Sequence, residues 1–143
     1  MSCCCGFGFG GGPGVPAWLA PINISHTQFQ TAGLTNSVTV YSLPAGGIIH
    51  GVKFKHSVTF DGPAITEYWL SLGFAGETQA LLIEYDVEST PVANDNFAIS
   101  QVFDSRNHAA ATNVIMTARS VGNNLNTSQQ GTGQLWLLVS QAL

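Results

Sequence analysis

The chain has 143 residues, a formal net charge of −4, and charged residues at only 8% of its composition, against roughly 25% in an average soluble domain. Its 4 Lys and Arg residues cannot neutralise a useful run of phosphates, which argues against nucleic-acid binding. No apolar run approaches the ~18 residues of a membrane-spanning helix, so we expect no membrane partner.

Neutral polar side chains take the place of the missing charges. Ser, Thr, Asn and Gln account for 41 of the 143 residues, and a surface built from them has little charge repulsion to keep copies of the chain apart. The length fits one domain with a sizeable core. We therefore predict a single domain whose surface mostly faces other protein.

Residues 1–22 are predicted to form a flexible, Gly- and Cys-rich N-terminal arm. The first 16 residues contain six glycines, two prolines and no charge, and such a segment is costly to order unless a partner holds it. Four apolar side chains are candidate anchors against a neighbouring subunit, because they gain nothing when free in water: Phe7, Phe9, Val15 and Trp18. The alternative is a disordered tail.

The arm also contains Gly6-Phe7-Gly8-Phe9-Gly10-Gly11, which matches the dinucleotide-binding fingerprint literally. The context contradicts that function, because no strand precedes the motif and two prolines, Pro13 and Pro16, follow where a helix should begin. We therefore predict no bound cofactor.

Cys3, Cys4 and Cys5 are the only cysteines of the chain. Three adjacent thiols cannot all pair within one chain, and consecutive residues are poorly placed to converge on one tetrahedral metal. Three states stay open: free thiols in a reducing cytosol, inter-chain disulfides once a particle has left the cell, and attachment of a metal or a lipid.

Residues 23–143 are predicted to form a β-sandwich, because strand-like stretches recur with turn signals between them. The predicted strands are Ser25–Thr31, Ser37–Leu43, Ile48–Phe60, Ala64–Phe74, Ala80–Val87, Phe97–Phe103, Asn113–Val121 and Gln134–Gln141. About eight strands of this length indicate two packed antiparallel sheets, hence an all-β sandwich of the jelly-roll kind.

Apolar side chains alternate along these strands with the period of 2 that a half-buried strand requires. In the strand predicted at Ala80–Val87, the core face carries Leu81, Ile83, Tyr85 and Val87. One face of each strand is thus expected to pack inward, and the other to meet solvent or a partner.

The opposite face of that strand carries an acidic stripe of Glu84, Asp86 and Glu88. Alternate carboxylates stand about 7 Å apart, a spacing found in some inverting glycosidases. A solvated strand face explains the stripe equally well, and Asn94, Asp95 and Asn96 in the next loop make a calcium site a further alternative.

His50 and His56 lie on the same face of one predicted strand, roughly 20 Å apart, too far to share a metal ion. We interpret them as core or interface histidines. Ser57 follows His56 but falls on the opposite face of the strand, so it forms no nucleophile–base pair. We predict neither a catalytic residue nor a metal site, and conclude that the protein is not an enzyme.

Two aromatic side chains, Tyr41 and Trp69, fall at strand positions predicted to face away from the core. Aromatic residues are enriched in protein interfaces, which makes both candidate surface contacts. Exposed aromatic rings also stack on sugars, so a module that binds host-surface carbohydrate is one alternative function.

Four segments resemble small virion structural proteins of tailed bacteriophages, of the head decoration (cement) or neck type. They are Gln28–Leu34 (QFQTAGL), Leu43–Lys53 (LPAGGIIHGVK), Ser120–Leu125 (SVGNNL) and Gly133–Leu137 (GQLWL). The resemblance covers roughly residues 25–143 and leaves the arm outside. It implies a β-sandwich on the particle, often as a trimer.

These observations predict a non-enzymatic phage virion protein, assembled in the host cytoplasm, that decorates and stabilises the capsid. The expected partners are two further copies of the chain, in a homotrimer, and the major capsid protein or other virion proteins. A neck, tail or fibre component is the other alternative to the carbohydrate-binding module.

Overall fold

The chain folds almost entirely into β-strands. The computed structural model describes residues 14–91, 98–100 (backbone only) and 108–141. The strands are β1 (Ala17–Trp18), β2 (Ile22–Ser25), β3 (Thr35–Leu43), β4 (Ile48–Asp61), β5 (Glu67–Phe74), β6 (Glu77–Asp86), β7 (Ala98–Ser100), β8 (Thr112–Val121) and β9 (Gln130–Ser140). Two short 3₁₀ helices, His26–Phe29 and Leu125–Thr127, complete the regular elements of these residues.

The strands form two antiparallel sheets that pack face to face. Sheet A has the order β1/β2, β9, β4, β7, and sheet B has the order β3, β8, β5, β6. Because β1 and β2 both pair with β9, they share one position and the sandwich has eight strand positions. The predicted all-β sandwich of about eight strands is therefore confirmed.

The connections explain why few sequence neighbours pair with each other. From β2 to β9 the chain crosses to the other sheet at every connection except the hairpin between β5 and β6. That hairpin turns at Gly76, whose φ of 80° is in the left-handed region that glycine adopts without strain. The remaining pairings join strands that are distant in sequence.

The hydrophobic core lies between the two sheets and is formed by side chains of both. The Phe60 and Tyr68 rings pack with centroids 5.2 Å apart, and Phe54 meets Tyr85 edge to face at 5.8 Å. The largest fully buried side chains are Tyr68, Phe29, Phe54, Phe60, Ile24, Leu43, Ile49, Leu70, Leu72, Leu81, Met116 and Leu125. Burial of these apolar side chains away from water supplies most of the favourable free energy of folding.

The strand predicted at Ser25–Thr31 is wrong, because a 3₁₀ helix occupies most of it. The Thr27 amide donates to the Ser25 hydroxyl at 3.3 Å, and the Ser25 amide donates to Gln28 Oε1 at 2.7 Å. This capping box ends β2 and turns Phe29 into the core. The helix carries the chain from sheet A to sheet B.

The last part of the predicted arm lies along β9. The Gly14 amide donates to the Gln141 carbonyl at 2.7 Å, and Ala17 and Trp18 pair with Val139 and Leu138. Residues 14–22 thus form the edge of sheet A. Residues 1–13, with Phe7, Phe9 and the three cysteines, lie outside the described residues.

The predicted alternation along β6 is wrong at Ile83, whose side chain is 71% exposed. The pairing of β6 with β5 shifts register twice, between Leu70 and Leu72 and between Leu72 and Phe74. Such β-bulges place an extra residue on one strand and reverse the alternation beyond it. Leu81 and Leu82, although consecutive, are therefore both buried.

Candidate interaction surfaces

The outer face of sheet A carries a tryptophan face, which we define as Trp18, Gly51, Lys53, Trp136 and Leu138. Leu138 pairs with Trp18 on one side and Gly51 on the other, and Trp136 pairs with Lys53. The Lys53 ammonium lies 4.4 Å from the Trp18 ring centroid, a cation–π contact. Trp18, predicted as an arm contact, lies on its own sheet and remains 40% exposed.

Trp18 is the one member of the tryptophan face that the sequence predicts as a contact, and Gly51, Lys53, Trp136 and Leu138 are not predicted. The signal was present in β9, where Leu135, Leu137 and Val139 are buried while the alternating Trp136 and Leu138 are half-buried on the outside. A strand that is apolar on both faces is expected to be covered on both faces.

The outer face of sheet B carries an arginine face, which we define as Glu67, Trp69, Glu84 and Arg119. The Trp69 indole N–H donates to Glu67 Oε2 at 2.8 Å. Arg119 donates from Nε and Nη2 to the two Glu84 oxygens at 2.5 and 2.9 Å. Its guanidinium carbon lies 5.8 Å from the Trp69 ring centroid. Trp69 thus faces outward as predicted, hydrogen-bonded to Glu67 and next to the ion pair of Arg119 and Glu84.

The acidic stripe divides into separate local contacts. The hydrogen bonds from Arg119 lower the pKa of the Glu84 carboxyl and raise that of the guanidinium. Asp86 Oδ1 instead accepts from the Glu88 and Ser89 amides at 2.9 and 3.2 Å, which closes the turn after β6. In the part of the chain that the structure describes, no three His, Cys, Asp or Glu side chains could hold a metal ion together.

The two histidines of β4 have different surroundings. His56 is buried, with Nε2 at 2.8 Å from the Ser89 carbonyl and its ring at 5.6 Å from that of Tyr85. His50 is half-buried, with Nε2 at 2.6 Å from Ser140 Oγ. His56 thus joins β4 to the turn after β6, and His50 joins β4 to the end of β9.

Tyr41 does not point away from the core, so that prediction of its orientation is wrong. β3 has a register shift between Thr39 and Tyr41, which inserts one extra residue opposite β8. As a result Val40 and Tyr41, although consecutive, both pack against the core while remaining half-buried. The role of Tyr41 in binding a partner stays a prediction.

The side of the sandwich that contains β3 has an open edge, which we define as Leu19, Ile22, Val38, Val40 and the backbone of residues 35–39. The four apolar side chains pack against the core but are only half-buried. β6 and β7 lie next to each other at the opposite side, so β3 shares its side with β1 and β2.

No helix within the described ranges is long and apolar enough to cross a membrane. No family model and no curated protein matches the chain. Solved structures do match it, among them chains of three phage capsids.

A chain of the cyanophage Pam1 capsid asymmetric unit matches with a TM-score of 0.58 at 19% identity, over 99% of this chain and 93% of that one. The capsid of Ralstonia phage GP4 matches with a TM-score of 0.58 at 14% identity, over 92% and 87%. The acidic stable capsid structure of Helicobacter pylori bacteriophage KHP30 matches with a TM-score of 0.51 at 18% identity, over 92% and 91%. The sandwich fold is therefore shared with chains of phage capsids over nearly its whole length.

Proposed function

We propose that the protein is a non-enzymatic structural component of a tailed-phage virion that binds the capsid surface and stabilises the shell. The observation that carries this proposal is the match of 92 to 99% of the chain to chains of three phage capsid structures. The strand order and the repeated crossing between sheets agree with the jelly-roll arrangement that is common in capsid proteins.

The surface chemistry supports attachment to protein. Charged residues make up 8% of the chain, and each sheet exposes a tryptophan on its outer face, Trp18 and Trp69. Aromatic side chains are enriched and charges depleted at the centre of protein interfaces. A subunit with such faces is suited to a lattice in which much of its surface is covered.

The N-terminal arm supplies a second contact. Gly14 and the residues after it are fixed along β9, so the preceding residues start from a defined point at one end of the sandwich. When the sandwich is bound, the tethered arm meets its own binding site at a high effective concentration, which strengthens the attachment without enlarging either contact. In a homotrimer each arm reaches across a subunit boundary and links the copies that bind the shell.

The proposal is tested by adding the purified full-length chain to phage shells that lack it. We expect the chain to co-sediment with the shells and to raise their resistance to heat or to a chelator. A chain that stays in the supernatant and leaves shell stability unchanged contradicts the proposal.

Counting copies per particle separates decoration from a neck or tail position. A decoration protein is present in many copies, because it follows the symmetry of the shell, whereas a neck component is present in few. A count of a dozen or fewer, on the order of one ring, would replace decoration by the neck alternative.

A further inference from the structure

The two edges of sheet B differ in how they are protected against pairing with another chain. The edge strand β6 carries Glu77, Glu84 and Asp86 and is interrupted by two register shifts. Charges and bulges are the common means of blocking an edge strand. The other edge strand, β3, contains no charged residue and no proline, and its first five residues pair regularly with β8.

The backbone of β3 presents hydrogen-bonding groups away from β8. The Ser120 amide donates to the Leu34 carbonyl at 2.8 Å. Because these groups alternate along an antiparallel strand, those of Asn36 and Val38 face β8, and those of Thr35, Ser37 and Thr39 face the open edge. Within the chain, the Ser37 amide donates to Oδ1 of the preceding residue, Asn36, at 3.0 Å.

The open edge also offers an apolar lining. Leu19 and Ile22 on the side of sheet A, and Val38 and Val40 on the side of sheet B, are half-buried between the two sheets. An extended segment added to β3 would place every second side chain against these four residues. The edge therefore fits a segment with apolar side chains at alternate positions.

The arm contains such a segment. In Gly6-Phe7-Gly8-Phe9-Gly10 the two phenylalanines alternate with glycines, so an extended backbone places both rings on one face and no side chain on the other. Three residues, 11–13, lie between Gly10 and Gly14, and the four extended steps that join these two glycines span about 13 Å. The segment can therefore dock on a copy that packs directly against this end of the sandwich.

We propose that the segment Gly6–Gly10 of one copy adds to β3 of a neighbouring copy as an extra strand, with Phe7 and Phe9 against the apolar lining of the open edge. The inference rests on the proposed function and names the partner surface of the arm. The contact is head to tail, since each copy gives an arm and receives one, and such contacts form a ring where the rotation between successive copies closes.

Strand direction favours a neighbouring copy over the same chain. β3 ends at Leu43, and the next strand starts at Ile48, opposite Ser140 of β9. The Gly14 amide is bound to Gln141 at this same end, so the arm runs toward the end at which β3 finishes. On its own β3 the arm would be a parallel strand, whereas a neighbour's β3 also accepts the more stable antiparallel pairing.

The test uses two complementary variants of the full chain. Deletion of residues 2–13 removes the donor segment and leaves β3 intact. Ser37→Pro removes an amide of the open edge, which is not part of the ladder with β8, and leaves the arm intact. Ser37→Ala is the matched control, because it keeps the amide. Thermal unfolding first establishes that each variant is folded, and light scattering after size-exclusion chromatography gives the mass.

We expect a ring of several copies for the unaltered chain and for Ser37→Ala, and monomers for each of the two other variants alone. When the two variants are mixed, we expect complexes of two chains. In each complex the arm of the Ser37→Pro chain pairs with β3 of the chain that lacks residues 2–13. We also expect Phe7→Ala or Phe9→Ala to weaken assembly roughly tenfold to a hundredfold, the loss of one buried ring.

Three results would overturn the inference: a monomeric unaltered chain, a mixture that stays monomeric, or a ring that forms without residues 2–13. Shell binding by the unaltered chain is measured in parallel. If the chain binds shells but Ser37→Pro assembles normally, only the inference on the arm fails. If the chain does not bind shells, the proposed function fails.

Discussion

Arg119 and Glu84 form a bidentate ion pair although their strands, β8 and β6, are not neighbours in sheet B. The strand between them is β5, and its Trp69 lies beneath the guanidinium. The pair therefore connects three strands on the outside of the sheet. It also joins the bulged edge strand to the regular centre of the sheet.

Glu84→Gln is expected to lower the free energy of unfolding at pH 7 by about 0.5–1 kcal/mol, the range for a partly exposed pair of good geometry. The hydrogen bonds from Arg119 place the pKa of folded Glu84 below its ordinary value of 4.5. The stabilisation is thus complete above the unfolded pKa and is lost as the pH falls through the lowered folded pKa. Urea titrations at several pH values measure it.

Glu88→Gln is the control for this measurement, because it removes a carboxyl from the same stripe without breaking the pair with Arg119. Its effect at pH 7 should stay within about 0.5 kcal/mol. A difference between Glu84→Gln and the unaltered chain that persists at pH 2 would contradict the assignment of the effect to the ionised pair.

The sandwich could be predicted from the sequence because buried and exposed side chains alternate regularly along every strand segment that pairs without a register shift. In β8 the buried Val114, Met116, Ala118 and Ser120 alternate with partly exposed residues without interruption. β3 and β6 differ because each contains a bulge. A bulge depends on the strand opposite, which lies elsewhere in the sequence, so alternation within one segment could not reveal it.

Ile83 gives a direct test of the bulge in β6. Ile83→Thr is expected to change the free energy of unfolding by less than about 0.5 kcal/mol, because the side chain is 71% exposed. Leu82→Ala, one position away and 6% exposed, should cost about 2–5 kcal/mol. Denaturant unfolding of both variants makes the comparison. A larger loss of unfolding free energy for Ile83→Thr than for Leu82→Ala would agree with the alternation expected from the sequence and contradict the bulge.

The 3₁₀ helix after β2 had a readable signal that the strand prediction overlooked. Ser25 and Gln28 stand at the spacing of a capping box, a pattern typical of a helix start. Ser25→Ala is therefore expected to cost about 1 kcal/mol of stability, measured by thermal unfolding. Thr31→Ala, just beyond this helix, is the control, and an equal cost for both would argue against the cap.

The candidate surfaces were less predictable than the fold. Trp69 was identified because its alternation with buried Tyr68 and Leu70 is regular. The tryptophan face was not identified, since it combines residues of β1, β4 and β9 that only the pairing brings together. A surface patch built from several strands is set by register, and register is a property of the whole sheet.

The cysteines of the arm provide a test in intact particles. If arms of neighbouring copies lie close together on the shell, Cys3, Cys4 and Cys5 of different chains can pair once the particle leaves the reducing cytosol. Non-reducing gels of purified particles are then expected to show multiples of the chain mass, which reductant collapses to one band. A variant with three serines at these positions is the control. A single band without reductant contradicts inter-chain pairing.

Deletion of residues 2–13 is expected to leave the sandwich folded and to weaken its attachment to shells. The deletion ends at residue 13 so that two contacts with β9 are kept. These are the hydrogen bond from the Gly14 amide to the Gln141 carbonyl and the pairing of Ala17 and Trp18 with β9. The deleted residues therefore share none of the sheet hydrogen bonds described above. At a chain concentration too low for copies to assemble, the melting temperature should change by a few degrees at most, about 1 kcal/mol or less. Binding should fall because one of two linked contacts is lost.

A matched variant distinguishes the loss of the arm from damage to the sandwich. Deletion of residues 2–19 also removes β1 and Trp18, so it should lower the melting temperature markedly as well as weaken binding. Co-sedimentation with shells and thermal unfolding are measured on both. The variant that lacks residues 2–13 retains the tryptophan face and the arginine face unchanged. If it co-sediments with shells as well as the unaltered chain does, the sandwich alone carries the attachment.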